Sequence, residues 1–166
     1  MKILLLSDTH SYLDDAILKH CHEADEIWHA GDFGNVKVSD TLSFIKPLRG
    51  VYGNIDGQEL RKVHPLESFF IAENVPVLMI HIGGYPGAWP PKIKTLIQNR
   101  KPALFICGHS HILKIVRDPE HNQMLCINPG ASGRVGFHQK RTMVRMVLNN
   151  GKVDSLEVIE LGSRTS

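Results

Sequence analysis

Seven residues in this chain carry side chains that bind divalent metals, and each sits just past an apolar run: Asp8, His10, Asp32, Asn54, His81, His109 and His111. In the first case Ile3-Leu4-Leu5-Leu6 gives way abruptly to Ser7-Asp8-Thr9-His10. In an extended chain, positions two apart point the same way, so Asp8 and His10 are expected to present a carboxylate and an imidazole side by side. Gly31-Asp32, Gly53-Asn54, His81 and Gly108-His109-Ser110-His111 repeat the pattern. Each has a plainer reading of its own: Asp32 as a helix cap, Asn54 as a turn residue, His81 as a hydrogen-bonded core histidine, the Gly-His-Ser-His stretch as a polar loop. Their joint occurrence, always behind an apolar strand, is what a metal centre requires. Seven ligands are too many for one tetrahedral zinc. They suit two ions bridged by one carboxylate, whose two oxygens can face two cations, with His109 and His111 each addressing a different ion. Two ions roughly 3.5–4 Å apart form a clamp for in-line displacement at phosphorus, one acidifying a bound water and the other screening the phosphoryl oxygens. The oxygen and imidazole donors fit manganese best, with iron, zinc, nickel or magnesium as alternatives, and calcium poorly.

The elements that must position these ligands follow from hydrophobic pattern. Ile3–Leu6, Glu26–Ala30 and Leu48–Tyr52 read as buried strands, alternating with helices over Leu13–Cys21 and Val38–Lys46. That alternation predicts a parallel α/β arrangement, in which ligands gather at the carboxyl ends of the strands. The second half is different. Ser68–Ala72 and Val75–Ile80 read as a hairpin turned at Glu73-Asn74. Gly83–Pro91 is a broken loop, and Ile93, Leu96 and Ile97 mark one short helix. Ala103–Cys107, Ile112–Val116 and Met124–Ile127 follow as strands. Thr142–Leu148 and Val153–Ile159 close the chain as a hairpin turned at Asn150-Gly151. We find no repeat or linker, so residues 1–166 are expected to form one domain with two sheets.

Of the 166 residues, 42% are hydrophobic and 22% charged, as in ordinary globular proteins, and a net charge of +2 gives no reason to expect nucleic acid or an anionic membrane as partner. No apolar stretch has the length of a membrane span, and the start lacks the form of a signal peptide, so a cytoplasmic location is expected. Cys21, Cys107 and Cys126 are too widely spaced for a structural zinc site and read as small core residues. Homo-oligomerisation is left open.

Taken in order, D-x-H, G-D, G-N, H and G-H-S-H resemble the motifs of the calcineurin-like metallophosphoesterases. The short length and the Gly53-Asn54-Ile55-Asp56 stretch are most similar to the small YfcE-type phosphodiesterases. Asn128-Pro129-Gly130-Ala131 is similar to that family's N-P-G-S. The resemblance implies an α/β (α+β) fold, a four-layer αββα sandwich of two mixed β-sheets. It implies that Asp8, His10 and His111 hold one ion, Asn54, His81 and His109 the other, and that Asp32 bridges them. Asp32 and Asn54 would be the catalytic residues, Asn54 also facing the substrate phosphate. The implied activity is hydrolysis of a small-molecule phosphodiester by a metal-bridging hydroxide. A phosphomonoesterase or nucleotidase, a nuclease subunit and a non-catalytic scaffold of the retromer type are the rivals. Two departures stand out. Ile55 occupies the position of the histidine that many members use as leaving-group acid, and Ile82-Gly83-Gly84 follows His81 where glycine and a further histidine are usual.

Overall fold

A computed structural model describes residues 1–165; Ser166, the last residue of the expected domain, lies outside the described residues. The order of elements is β1 (Lys2–Leu6), α1 (Asp15–Glu23), β2 (Glu26–His29), α2 (Val36–Ile45), β3 (Leu48–Gly50), α3 (Gln58–Val63), β4 (Glu67–Ala72), β5 (Val75–Ile80), α4 (Pro91–Arg100), β6 (Leu104–Ile106), β7 (Leu113–Asp118), β8 (Met124–Pro129), β9 (Lys140–Asn149) and β10 (Lys152–Ser163). They form two five-stranded sheets, ordered β10-β9-β1-β2-β3 and β4-β5-β6-β8-β7. Both are mixed. β1, β2 and β3 run parallel while β9 returns antiparallel to β1. β5, β6 and β8 run parallel between the antiparallel edge strands β4 and β7.

The apolar run of β1 shows why the sheets stack. Side chains alternate across a strand, so Ile3 and Leu5 join the core between the sheets with Trp28, Val77, Met79, Ile106 and Met146. Leu4 and Leu6 face the other way and pack with Ile17 and Cys21 of α1, Leu42 of α2 and Leu60 of α3. On the far side, Leu78 and Phe105 of the second sheet are covered by Ile93 and Ile97 of α4. The result is four layers: helices, sheet, sheet, helix.

Local chemistry sets the ends of the elements. Asp14 caps α1, its carboxylate accepting the Ile17 N–H at 3.0 Å. The expected hairpin turns, Glu73-Asn74 and Asn150-Gly151, have both central residues at positive φ. Helix α3 has no counterpart among the expected elements; with six residues and only Leu60 buried, it is too short to show a helical period. The three cysteines are buried and unpaired, and burial pushes each thiol up to about 12. Among the described residues no helix is long and apolar enough to cross a membrane.

Candidate metal centre

The loops after β1, β2, β3, β5 and β6 meet at one end of the sandwich and bring all seven expected ligands together. The side chains fall into two groups, Asp8, His10 and His111 in one and Asp32, His81 and His109 in the other, with the ligand atoms of each group within 4.8 Å of one another. Asn54 joins the second, its Oδ1 lying 3.1 Å from His81 Nε2.

Each carboxylate is fastened by one oxygen and offers the other. Asp8 Oδ2 accepts from Ser7 Oγ at 2.6 Å and from the His109 N–H at 3.1 Å. Its Oδ1 points into the cluster, 3.2 Å from His111 Nε2 and 4.0 Å from His10 Nε2. Asp32 Oδ1 accepts the Ile55 N–H at 3.0 Å. Asp32 Oδ2 lies 3.2 Å from His81 Nε2 and 3.5 Å from His10 Nε2, one imidazole from each group. A single oxygen of Asp32 therefore faces both groups, where two oxygens were expected to face two cations, because a backbone donor has claimed the other.

The His81 imidazole is set in the same manner. His81 Nδ1–H donates to the Ala30 carbonyl at 2.7 Å, which turns Nε2 towards the oxygens of Asp32 and Asn54. Burial opposes the imidazolium of His81, but the Asp32 and Asp8 carboxylates outweigh it and raise its pKa. Burial likewise pushes the Asp32 carboxyl up, and His81, the Ile55 N–H and His10 together bring it below the usual range.

This donor set fits a cation. Asp8 Oδ1 and His10 Nε2 are buried and have no hydrogen-bond partner among the described residues. A buried carboxylate oxygen without a partner costs several kcal/mol unless a proton or a cation sits against it. Lone pairs converging on one another at such distances have the same need.

The backbone reaches this arrangement by a route that spacing alone did not indicate. Asp8, His10, Asp32, His109 and His111 all adopt positive φ, between 44° and 71°. Asp8 and His10 are thus aimed by a left-handed turn, which replaces the extended geometry expected from their spacing. Non-glycine residues there cost of order 1–3 kcal/mol each, and such strain gathers at functional sites. Close approach of the loops fixes the neighbouring glycines: a Cβ on Gly53 would lie 2.0 Å from Asp32 Oδ1, and one on Gly108 2.2 Å from Ser7 Oγ.

Several contributors carried no signal in the sequence. Ser7 and the Ala30 carbonyl act only through the groups they hold. Asn128 braces the Gly-His-Ser-His loop, donating to the Gly108 carbonyl at 2.8 Å and to Ser110 Oγ at 3.0 Å, and its position in Asn-Pro-Gly was the one hint. His138 packs edge-on against His111, with ring centroids 5.2 Å apart, and its Nε2 bonds the Gly133 carbonyl at 2.9 Å. Asp56 stands close enough in sequence to Asn54 to suggest a proton donor for a leaving group, but it acts as a structural bracket. It is 2% exposed, and its carboxylate is consumed by the N–H groups of Phe33, Gly34 and Gly53.

Residues 1–151 match the calcineurin-like phosphoesterase superfamily domain, and the chain belongs to that family. No curated protein matches it. Among solved structures it is similar to a Thermotoga maritima protein solved by NMR, 25% identical with a TM-score of 0.72, over 96% of this chain and 99% of that one. It also resembles an archaeal phosphodiesterase, 19% identical with a TM-score of 0.70, over 97% of this chain and 100% of that one. Zinc-complexed Vps29 from Entamoeba histolytica shares 14% identity and a TM-score of 0.74, over 97% of this chain and 98% of that one. The last two likenesses speak to the fold alone.

Proposed function

We propose that this chain is a binuclear-metal phosphoesterase, that its preferred substrates are phosphodiesters, and that manganese serves it best. The observation that carries the reading is the pair of buried, unpartnered atoms, Asp8 Oδ1 and His10 Nε2, inside a ring of imidazoles and carboxylates. Asp8, His10 and His111 would hold one ion, Asn54, His81 and His109 the other, and Asp32 Oδ2 would lie between them. When bound, two such ions lower the pKa of a water and screen the charge of the phosphoryl oxygens.

The chain's own residues do the rest. Ser7 and the His109 N–H keep Asp8 aimed. Ala30 keeps the Nδ1–H tautomer of His81, so that Nε2 is always the ligand atom. With Asn54 Oδ1 turned to the second group, Nδ2 remains to donate to a substrate oxygen. Beside it, Ile55 has no proton to give, and Asp56 is fully engaged with backbone N–H groups. Departure of the leaving group without a donor favours esters whose alcohols are acidic, such as aryl phosphodiesters.

The test is a metal titration followed by a substrate panel. Protein stripped of metal and then saturated with manganese should bind close to two ions per chain. It should then hydrolyse aryl phosphodiesters with rates that depend steeply on leaving-group pKa. Zero stoichiometry at saturating manganese would overturn the reading. Faster turnover of monoesters than of diesters would keep the phosphoesterase and reassign its substrate.

A further inference from the structure

A cleft of about 360 Å³ opens directly beside the second group of ligands, and Asn54 and His81 form part of its wall. The remainder is almost entirely carbon: Tyr52, Leu66, Ile80, Ile82, Pro90 and Ile93 line it, and among the described residues Lys92 adds a cationic side chain. Ile80 and Ile93 are buried, but Leu66 and Ile82 stand 43% and 53% exposed. Apolar side chains left half in water beside a ring of metal-type ligands serve no purpose in the core. The volume is at the lower end of the range for small-molecule sites, which are apolar with a few placed polar groups.

We infer that this cleft is the subsite for an uncharged, apolar ester group of the substrate, an aryl or alkyl substituent. The inference rests on the phosphoesterase reading above and names its substrate class. Asn54 and His81 belong to both the ligand ring and the cleft wall, so a phosphoryl group held at the ring has its ester oxygen next to carbon surface. Among the described residues no carboxylate lines the cleft, and its polar side chains besides Asn54 and His81 are the Tyr52 hydroxyl and Lys92. Such a wall has little with which to read the edge of a nucleobase or the hydroxyls of a sugar. It rewards carbon, roughly in proportion to the area removed from water.

The experiment uses the 166-residue protein loaded with zinc, labelled with carbon-13 at the isoleucine methyls and titrated with phenylphosphonate and with methylphosphonate. Both probes carry the same anionic head and neither can be hydrolysed. Phenylphosphonate should bind on the order of tenfold or more tighter. Its ring should shift the methyl signals of Ile80, Ile82 and Ile93. Ile82→Asn, at a half-exposed position, should narrow the difference between the probes, and Ile82→Leu should preserve it. Equal affinity for the two probes would overturn the subsite and leave the metal centre standing. So would ring-induced shifts confined to Ile112, in the cleft on the His109 and His111 side. Failure of both phosphonates to bind zinc-loaded protein would count against the phosphoesterase reading and remove the subsite with it.

Discussion

Asp32 and Asp56 are both 2% exposed, and both sit in loops behind strands of the same sheet. Their surroundings differ in kind. Asp56 accepts the N–H groups of Gly53 at 2.8 Å, Gly34 at 2.9 Å and Phe33 at 3.2 Å, and so ties the loop after β2 to the loop after β3. Its charge is answered by donors that never leave. Asp32 receives one backbone N–H on Oδ1, while Oδ2 faces two imidazoles from different strands. Burial alone therefore does not separate an acid whose partners are all internal from one that keeps an oxygen open to a cation. What separates them is whether the fold supplies every donor or leaves an oxygen for something from outside. Asp8 belongs with Asp32, since its Oδ1 is buried and unpartnered.

The comparison can be broken most directly by exchanging charge for amide at Asp32. Asp32→Asn preserves size and the contact with the Ile55 N–H but removes the charge between the two groups. Manganese-dependent phosphodiester turnover should fall by about a hundredfold or more. The melting temperature without metal should change little. Normal turnover in this variant would end the bridging role.

At Asp56 the pattern should invert. Asp56→Ala strands the buried N–H groups of Phe33 and Gly53 and the half-buried one of Gly34, each buried one worth roughly 1–3 kcal/mol when left unpaired. We expect a loss of about 3 kcal/mol, read as a drop in melting temperature or urea midpoint. Turnover per folded molecule should suffer less than in the Asp32 variant. A stable Asp56→Ala protein without activity would mean that the two acids had been assigned the wrong way round.

Ser7 tests the boundary between the two kinds of region, because it is an ordinary donor acting on a ligand. Ser7→Ala removes the 2.6 Å hydrogen bond to Asp8 Oδ2. Loss of such a supporting bond should weaken metal binding by about 10–100-fold, measured by competition with a chelator. The fold should persist, since the His109 N–H still holds that oxygen.

The smallest effect lies in the structural layer under the Asp56 bracket. His29, Phe33 and His64 form a continuous stack with centroid separations of 3.7 and 4.5 Å. Burial lowers the pKa of His64, and its Nε2 lies 2.7 Å from Ser39 Oγ. A histidine depressed in the folded state takes up its proton sooner when unfolded. Its contribution is fully present above the unfolded value of 6.5 and is lost as pH falls from there towards the folded pKa. Stability should accordingly decline by at most about 1.4 kcal/mol per pH unit on account of this group. In His64→Gln the slope just below pH 6.5 should be shallower than in the parent, measured by urea denaturation at each pH. Equal slopes would show that His64 titrates freely and that the stack is no closed structural layer.

The sequence on its own determined the candidate ligand types and their places behind strands, because a buried strand and the polar loop after it are written in adjacent residues. It likewise determined the alternation of strand and helix in the first half and both hairpin turns, all of them local patterns. It could not show α3, too short for periodicity, nor that the hairpin of β9 and β10 joins the first sheet beside β1, since pairing between distant strands leaves no local mark. Residue types alone made Asp8, Asp32 and Asp56 equivalent. Only the tertiary structure decided which oxygen of each is consumed, because the donors come from Ser7 and His109 in one case, Ile55 in another, and Phe33, Gly34 and Gly53 in the third. Those donors lie from one to about a hundred residues away along the chain, and hydrogen bonds are set by distance in space.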